Sequence, residues 1–188
     1  MMKFDKYYIV ANTREEFANA SKISSRPYSD HPSQQSINYV LQELVKAGFN
    51  ARYFGGIEEL INACQRHCTF ENTLFLNFSD GLNQLSRKAQ SAILLELLDA
   101  AYVGSDPLAR LMAGNKAYAK RIVSSFLEVP KGFTIYSSSS LPKSIQFPVV
   151  IKPNREGSSL GITQNSICMN IDELKKRLPY LLEKYHEI

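Results

Sequence analysis

The chain has 188 residues, of which 44% are hydrophobic and 21% charged, with a formal net charge of +4. That composition is ordinary for a globular protein with one large domain or two small ones, and it leaves out a charged tail or a membrane-spanning segment. Three cysteines without secretory features fit reduced thiols in a cytosolic protein, and the apolar stretch in MMKFDKYYIVANT is too short and too polar for a signal peptide.

Tyr7–Ala11 reads as a short buried strand. Thr13 to Ser36 is rich in Ser, Arg, Asn and Pro and reads as a long connection with a helical turn near Glu15–Ala20. Connections of that length in a compact domain are often functional. Ile37, Val40, Leu41, Leu44 and Val45 recur at helical spacing over Ser36–Ala47, and Gly48 stops the helix. Phe49–Phe54 is a second strand and Gly55-Gly56 a turn. Ile57, Leu60, Ile61 and Cys64 line a second helix, and Thr73–Phe78 is a third strand. This alternation predicts a parallel sheet with crossover helices.

Ser86 is expected to cap a helix reaching Leu98, with Ala89, Ile93, Leu94 and Leu97 inward. Ala101–Val103 is a strand, Asp106 an N-cap and Pro107 its N1 residue. A break at Gly114-Asn115 precedes a helix from Lys116 to Phe126. Phe133–Tyr136 reads as a strand and Ser137–Ser140 as a flexible loop. Asn170 caps a last segment with Ile171, Leu174, Leu178 and Leu182 on one side, kinked or split by Pro179. The βα repeats end near residue 112, so the expected domains are 1–112 and 113–188.

Ligands of parallel sheets sit beyond the carboxyl ends of the strands. Those ends carry Asn12-Thr13, Gly55-Gly56 and Asn77–Gly81, which makes Ser79, Asp80 and Arg87 candidate substrate contacts; ordinary turn chemistry at Asp80-Gly81 is the alternative. Phe147 to Ile162, FPVVIKPNREGSSLGI, reads as a hairpin whose second apolar run starts at Leu160. Lys152 supplies a charge at a strand end, Gly157 lets backbone approach a ligand, and Ser158 and Ser159 add hydroxyl donors, a turn suited to an anion. A polar surface hairpin is the bland alternative. Lys116, Lys120 and Arg121 form a basic helix face without the interleaved aromatics of a nucleic-acid module. Cys64, His67 and Cys68 lack a partner pair for zinc, with Cys64 expected to pack in the core. His31, His67 and His186 have no nucleophile beside them, so no hydrolase site is expected.

Several of these segments resemble, in order, the D-alanine–D-alanine ligase group of ATP-grasp enzymes. Leu94–Leu98 followed by Ala101–Ser105 is similar to the group's LLELL…YtGS segment. Ala109 through Lys116 and Lys120 resemble its LA…dK…K helix start, and Phe147–Pro153 followed by Arg155–Gly161 resembles its central signature. The resemblance covers about residues 73–188 by motif and the earlier part by architecture. It implies an N-terminal parallel-sheet βαβ substrate domain (pre-ATP-grasp) followed by a small α+β ATP-grasp subdomain. It also implies ATP-dependent joining of a carboxylate to an amine through an acyl phosphate, with Mg2+ and with ATP and an amino acid or other small carboxylate and amine as partners. By matching position, Lys116 and Lys152 would contact nucleotide phosphates, and Glu156, Gly157, Ser158 and Ser159 would lie in the loop that closes over the γ-phosphate.

Two departures bear on substrate. Ala11-Asn12-Thr13-Arg14-Glu15-Glu16 stands where the group has a glycine-rich start with serine and glutamate, so specificity for D-alanine is not implied. Phe78-Ser79-Asp80-Gly81 replaces its His-Gly element. The group's adenine-binding acids, phosphate-stabilising arginine and Mg2+ ligands fall beyond Ile188 on this pattern. These 188 residues are therefore expected to bind ATP weakly and not to ligate alone, with catalytic and metal residues in a further C-terminal domain. A non-catalytic nucleotide-binding or regulatory module and one half of a split ligase are the alternatives, and homodimerisation is left open. No nucleic-acid or membrane partner is expected, and the expected compartment is the cytoplasm.

Overall fold

A computed structural model describes residues 4–19, 31–82 and 85–188; of the connection expected over Thr13 to Ser36, residues 20–30 lie outside these. The chain forms two compact units, residues 1–111 and 112–188.

The first unit is α/β. Its strands are β1 (Lys6–Val10), β2 (Ala51–Gly55), β3 (Thr73–Asn77) and β4 (Ala101–Val103), in the order β2-β1-β3-β4. All three pairings are parallel, with Tyr8 opposite Arg52 on one side and Phe75 on the other. Side-chain alternation divides β1 between two cores. Tyr8 and Val10 join Leu60, Phe75, Leu95 and Ala100 on one face, and Ile9 joins Ala11 and Ile37 on the other. Phe54, Phe70 and Phe75 meet edge-on beside Tyr8, with centroids 4.9 to 5.7 Å apart among the three phenyl rings. The helices are α1 (Arg14–Asn19), α2 (Gln34–Lys46), α3 (Ile57–Gln65) and α4 (Arg87–Leu97). Ser33 caps α2 by accepting from Ser36 N–H, and Gly48 leaves it at φ +87°. The helix expected near Glu15–Ala20 is α1, one residue earlier at its start. Cys64 is half-buried on α3, its thiol 3.8 Å from the Leu94 carbonyl.

On α4 the expected inward face holds for Ala89 and Leu94 and fails for Ile93 and Leu97. Ala89, Ala92 and Leu95 are fully buried, whereas Ile93 is 41% and Leu97 73% exposed. The helix carries two apolar stripes, and the one with small residues wins because it lets the backbone approach the sheet closely. Buried Ser91 on that side donates to the Ser79 carbonyl at 3.3 Å. Ser86 occupies the N-cap position but its hydroxyl makes no cap bond among the described residues.

The helix α5 (Pro107–Ala113) starts as expected, with Asp106 accepting from Ala109 N–H at 2.9 Å, and it carries the boundary between the units. The second unit contains α6 (Lys116–Val123), β5 (Val149–Val150), β6 (Ile167–Cys168) and α7 (Ile171–Tyr185). Its core gathers Ile135, Ile151, Cys168, Leu174, Leu178, Leu181, Tyr185 and Ile188.

Five further expectations are corrected here. The helix from Lys116 ends at Val123, and Phe126 beyond it is 82% exposed. Phe133–Tyr136 is not a strand: Ile135 alone exchanges a pair of backbone bonds with Ile188, at 2.7 and 3.0 Å. The expected second hairpin strand at Leu160 is a turn. Ser158 and Ser159 sit at φ +47° and +58°, and Leu160 N–H and Ile162 N–H donate back to Gly157 and Ser159. The antiparallel partner of β5 is β6, with Val149 opposite Cys168. Pro179 does not split α7, because Leu174 and Leu178 before it and Leu181 and Tyr185 after it bury on one side, and that packing outweighs a missing donor. Ser138–Ser140, expected as loop, is one 3₁₀ turn.

Candidate functional site

The first cluster lies where β1, β2 and β3 end. Asn12 follows β1 and is buried. Its Oδ1 accepts from Ile57 N–H at 3.1 Å and lies 3.5 Å from Ser79 Oγ, and its Nδ2 donates to Glu16 at 3.1 Å. One side chain therefore joins the β1 end, the start of α3 and the β3 loop. Gly56 makes room for it, since a Cβ there would fall 2.1 Å from Asn12 Nδ2. Glu16 also accepts from Thr13 Oγ1 at 3.2 Å and from the Tyr53 hydroxyl at 3.0 Å. Burial, and then the Glu16 carboxylate, push the Tyr53 phenol well above its ordinary pKa.

The three predicted substrate residues come together at the end of β3. Ser79 is fully buried, and its Oγ accepts from Gly81 N–H at 3.2 Å, so this hydroxyl shapes the loop from inside. Asp80 is about one-fifth exposed and pairs with Lys88, with Arg87 Nη1 at 3.9 Å and Arg110 Nη2 at 4.0 Å. Arg87 is 8% exposed. Arg110, which sequence reasoning did not single out, donates to the carbonyls of Ser79 (2.6 Å) and Lys88 (2.5 Å). The arrangement offers guanidinium and ammonium groups around one carboxylate, chemistry suited to a small zwitterion or carboxylate.

The second cluster is in the second unit. Asn115 caps α6 by accepting from Tyr118 N–H at 3.0 Å, which sets Lys116 at the first helical position. Asn154 fastens the Lys152 loop to that turn. Its Oδ1 accepts from Ala117 N–H (2.8 Å), its Nδ2 donates to Asn115 Oδ1 (3.0 Å), and its carbonyl accepts from Lys116 N–H (3.0 Å). Lys116 Nζ donates to the Glu156 carbonyl and lies 3.5 Å from that of Asn154. Lys116 and residues 154–156 thus form one hydrogen-bonded body.

Glu187 holds the other side. Its carboxylate accepts from Asn154 Nδ2 (2.7 Å), Arg155 Nε (2.5 Å) and the Tyr136 hydroxyl (3.2 Å), and its carbonyl accepts from Asn154 N–H (3.0 Å). Lys152, Ser158 and Ser159 are exposed, and Glu156 and Gly157 half-buried. The left-handed positions of the loop are Ser158, Ser159 and Gly161, and the glycine that the fold requires is Gly161. At φ +75°, a Cβ there would meet Pro153 Cγ at 2.6 Å and Tyr185 Cε2 at 2.8 Å.

Asn12, Arg110, Asn115, Asn154 and Glu187 were not singled out from sequence. The available signal was position alone: Asn12 at a strand end, Asn115 before a helix and Asn154 inside a motif. Among the described residues no group of three or more His, Cys, Asp or Glu side chains converges as a metal site. No helix among them is long and apolar enough to cross a membrane.

A parallel βαβ unit followed by a small α+β unit with a lysine-fastened Gly-Ser loop is the order of units expected from the resemblance to ATP-grasp ligases. The sequence relatives are more particular. D-alanine–D-alanine ligase of Aquifex aeolicus is 38% identical over 98 residues, covering 50% of this chain and 33% of that protein. Two solved D-alanine–D-alanine ligase structures from Bacillus anthracis, the second complexed with ATP, superpose with TM-scores of 0.69 and 0.67 at 20% and 19% identity. They cover 97% of this chain and 55% and 56% of theirs. The chain thus spans about a third of the curated relative and just over half of the solved chains. No family model matches. In sequence and in fold, the chain resembles the D-alanine–D-alanine ligase-like ATP-grasp proteins.

Proposed function

We propose that the chain forms the substrate and phosphate-loop portion of an ATP-dependent carboxylate–amine ligase. The observation that carries this reading is the Lys116–Asn154–Glu156 body, which fastens a lysine from a helix start to a loop bearing Lys152 and two exposed serines. Lys116 and Lys152 would neutralise nucleotide phosphates, while Glu156, Gly157, Ser158 and Ser159 form the segment that closes over the γ-phosphate. Phosphoryl transfer needs chiefly this positioning and charge neutralisation. A substrate carboxylate attacks the γ-phosphorus, releasing ADP and leaving an acyl phosphate. An amine then attacks the acyl carbon, giving the amide and phosphate. A lid excludes the water that would otherwise hydrolyse the intermediate.

Asp80 and Arg87 serve the small-molecule side, Asp80 suited to an ammonium and Arg87 to a carboxylate, and buried Ser79 shapes the loop that presents them. Mg2+ would be held by groups other than these residues. The reaction belongs to the cytoplasm, where ATP is abundant. Calorimetry with ATP on the chain tests the reading: weak binding is expected, reduced at least tenfold by Lys152→Ala. Equal affinity of the two would make the loop purely structural.

A further inference from the structure

We infer that Glu187 is a positioning residue for the phosphate loop, setting both the loop and Lys116 through Asn154 and Arg155. The inference rests on reading the Lys152 loop and Lys116 as a phosphate site. Glu187 is 8% exposed and Asn154 5%, so their bonds are shielded from water. One carboxylate is divided between them: Oε1 takes Asn154 Nδ2 and the Tyr136 hydroxyl, and Oε2 takes Arg155 Nε.

Asn154 uses every polar atom it has. Its N–H goes to the Glu187 carbonyl, its carbonyl to Lys116 N–H, its Oδ1 to Ala117 N–H, and its Nδ2 to both Glu187 and Asn115. The amide orientation is therefore determined. Only with Nδ2 facing the Glu187 carboxylate does Oδ1 face the α6 amide, and a carboxylate, having acceptors only, enforces that choice. Releasing Glu187 leaves Asn115 Oδ1 as the one remaining acceptor for Nδ2, so the Asn154 amide is held less firmly and its bond to Ala117 weakens. Lys116, whose Nζ rests on the carbonyls of this same loop, would then lose its support. The carboxylate acts at one remove and touches no nucleotide.

The two arms are separable by substitution. Glu187→Gln keeps a carbonyl oxygen for Asn154 Nδ2 but sets an NH2 group against Arg155 Nε. Arg155→Met breaks the outer arm alone, and Glu187→Ala breaks both. The first readout is amide hydrogen exchange on the 188-residue chain. Glu187→Ala should raise exchange at Ala117 at least tenfold while the amides of Leu178 and Leu181 stay protected, and Glu187→Gln should lie between Ala and wild type. Unchanged exchange at Ala117 in Glu187→Ala overturns the clamp.

The second readout is ATP affinity by titration, with Lys152→Ala as the control for the phosphate reading itself. Loss of affinity in Lys152→Ala together with a roughly tenfold loss in Glu187→Ala supports the positioning role. Loss in Lys152→Ala alone overturns it while leaving the phosphate reading intact. A wild-type chain that binds no ATP overturns both, and the exchange data then describe a purely architectural clamp.

Discussion

Gly56→Ala tests how the strand ends are tied together. A Cβ at Gly56 would lie 2.1 Å from Asn12 Nδ2, 2.4 Å from its Cγ and 2.6 Å from its Oδ1, far inside van der Waals contact. Asn12 cannot step aside freely, being 6% exposed and bonded to Ile57 N–H and Glu16. Displacing it strands the buried Ile57 amide at about 1–3 kcal/mol, and crowding costs another ~1–3 kcal/mol. A total near 3 kcal/mol is expected. With a slope of about 2 kcal/mol/M, the urea midpoint of the first unit falls by roughly 1.5 M.

Non-additivity is expected as well. Asn12→Ala should cost about 2 kcal/mol through the same lost bonds. Adding Gly56→Ala to it should cost almost nothing, because the obstructing amide is gone. Urea unfolding of the two single variants and the double closes the cycle. Additive effects, with no coupling beyond about 0.5 kcal/mol, would refute the reasoning, as would an unshifted midpoint in Gly56→Ala.

Two further outcomes follow from the same unit. The Tyr53 phenol has a raised folded-state pKa, so the folded state holds its proton more tightly than the unfolded chain. That contribution is fully present below about pH 10, the unfolded value, and is lost as pH rises through the folded value; Tyr53→Phe should flatten the stability–pH curve above pH 10 relative to wild type, measured by denaturant titration across that range. Arg110→Ala removes two charge-assisted bonds to the Ser79 and Lys88 carbonyls. It should cost about 2 kcal/mol and speed amide exchange at Gly81, and exchange indistinguishable from wild type would show that the loop stands without Arg110.

Much of the first unit could be read from the chain, because its elements are determined by local pattern. The i, i+3, i+4 stripe of α2, the β-rich runs and the Gly48 stop are properties of short windows, and a parallel sheet is the way to pair strands joined by helices. The α4 face could not be read so. Ile93 and Leu97 are as apolar as any core residue, and only the approach of the sheet selects the alanine stripe instead.

The same division runs through the candidate site. The motif around Lys152 was legible because its residues are consecutive, Lys116 through its match to the ATP-grasp pattern, and Ser79, Asp80 and Arg87 through their place after the third strand. What joins them was not. Asn154 meets Asn115 across 39 residues and Glu187 across 33, and Arg110 meets Ser79 across 31. Such bonds exist only once the chain has folded, since an amide or guanidinium carries no sign in sequence of which carbonyl it will face. The sequence by itself determined the elements of the first unit, the two-part organisation of the pattern and the chemistry-bearing loop. Tertiary structure decided the second strand of the hairpin, the glycine that has to be a glycine, and the buried polar network that holds the loop, because each depends on burial and on contacts between distant segments.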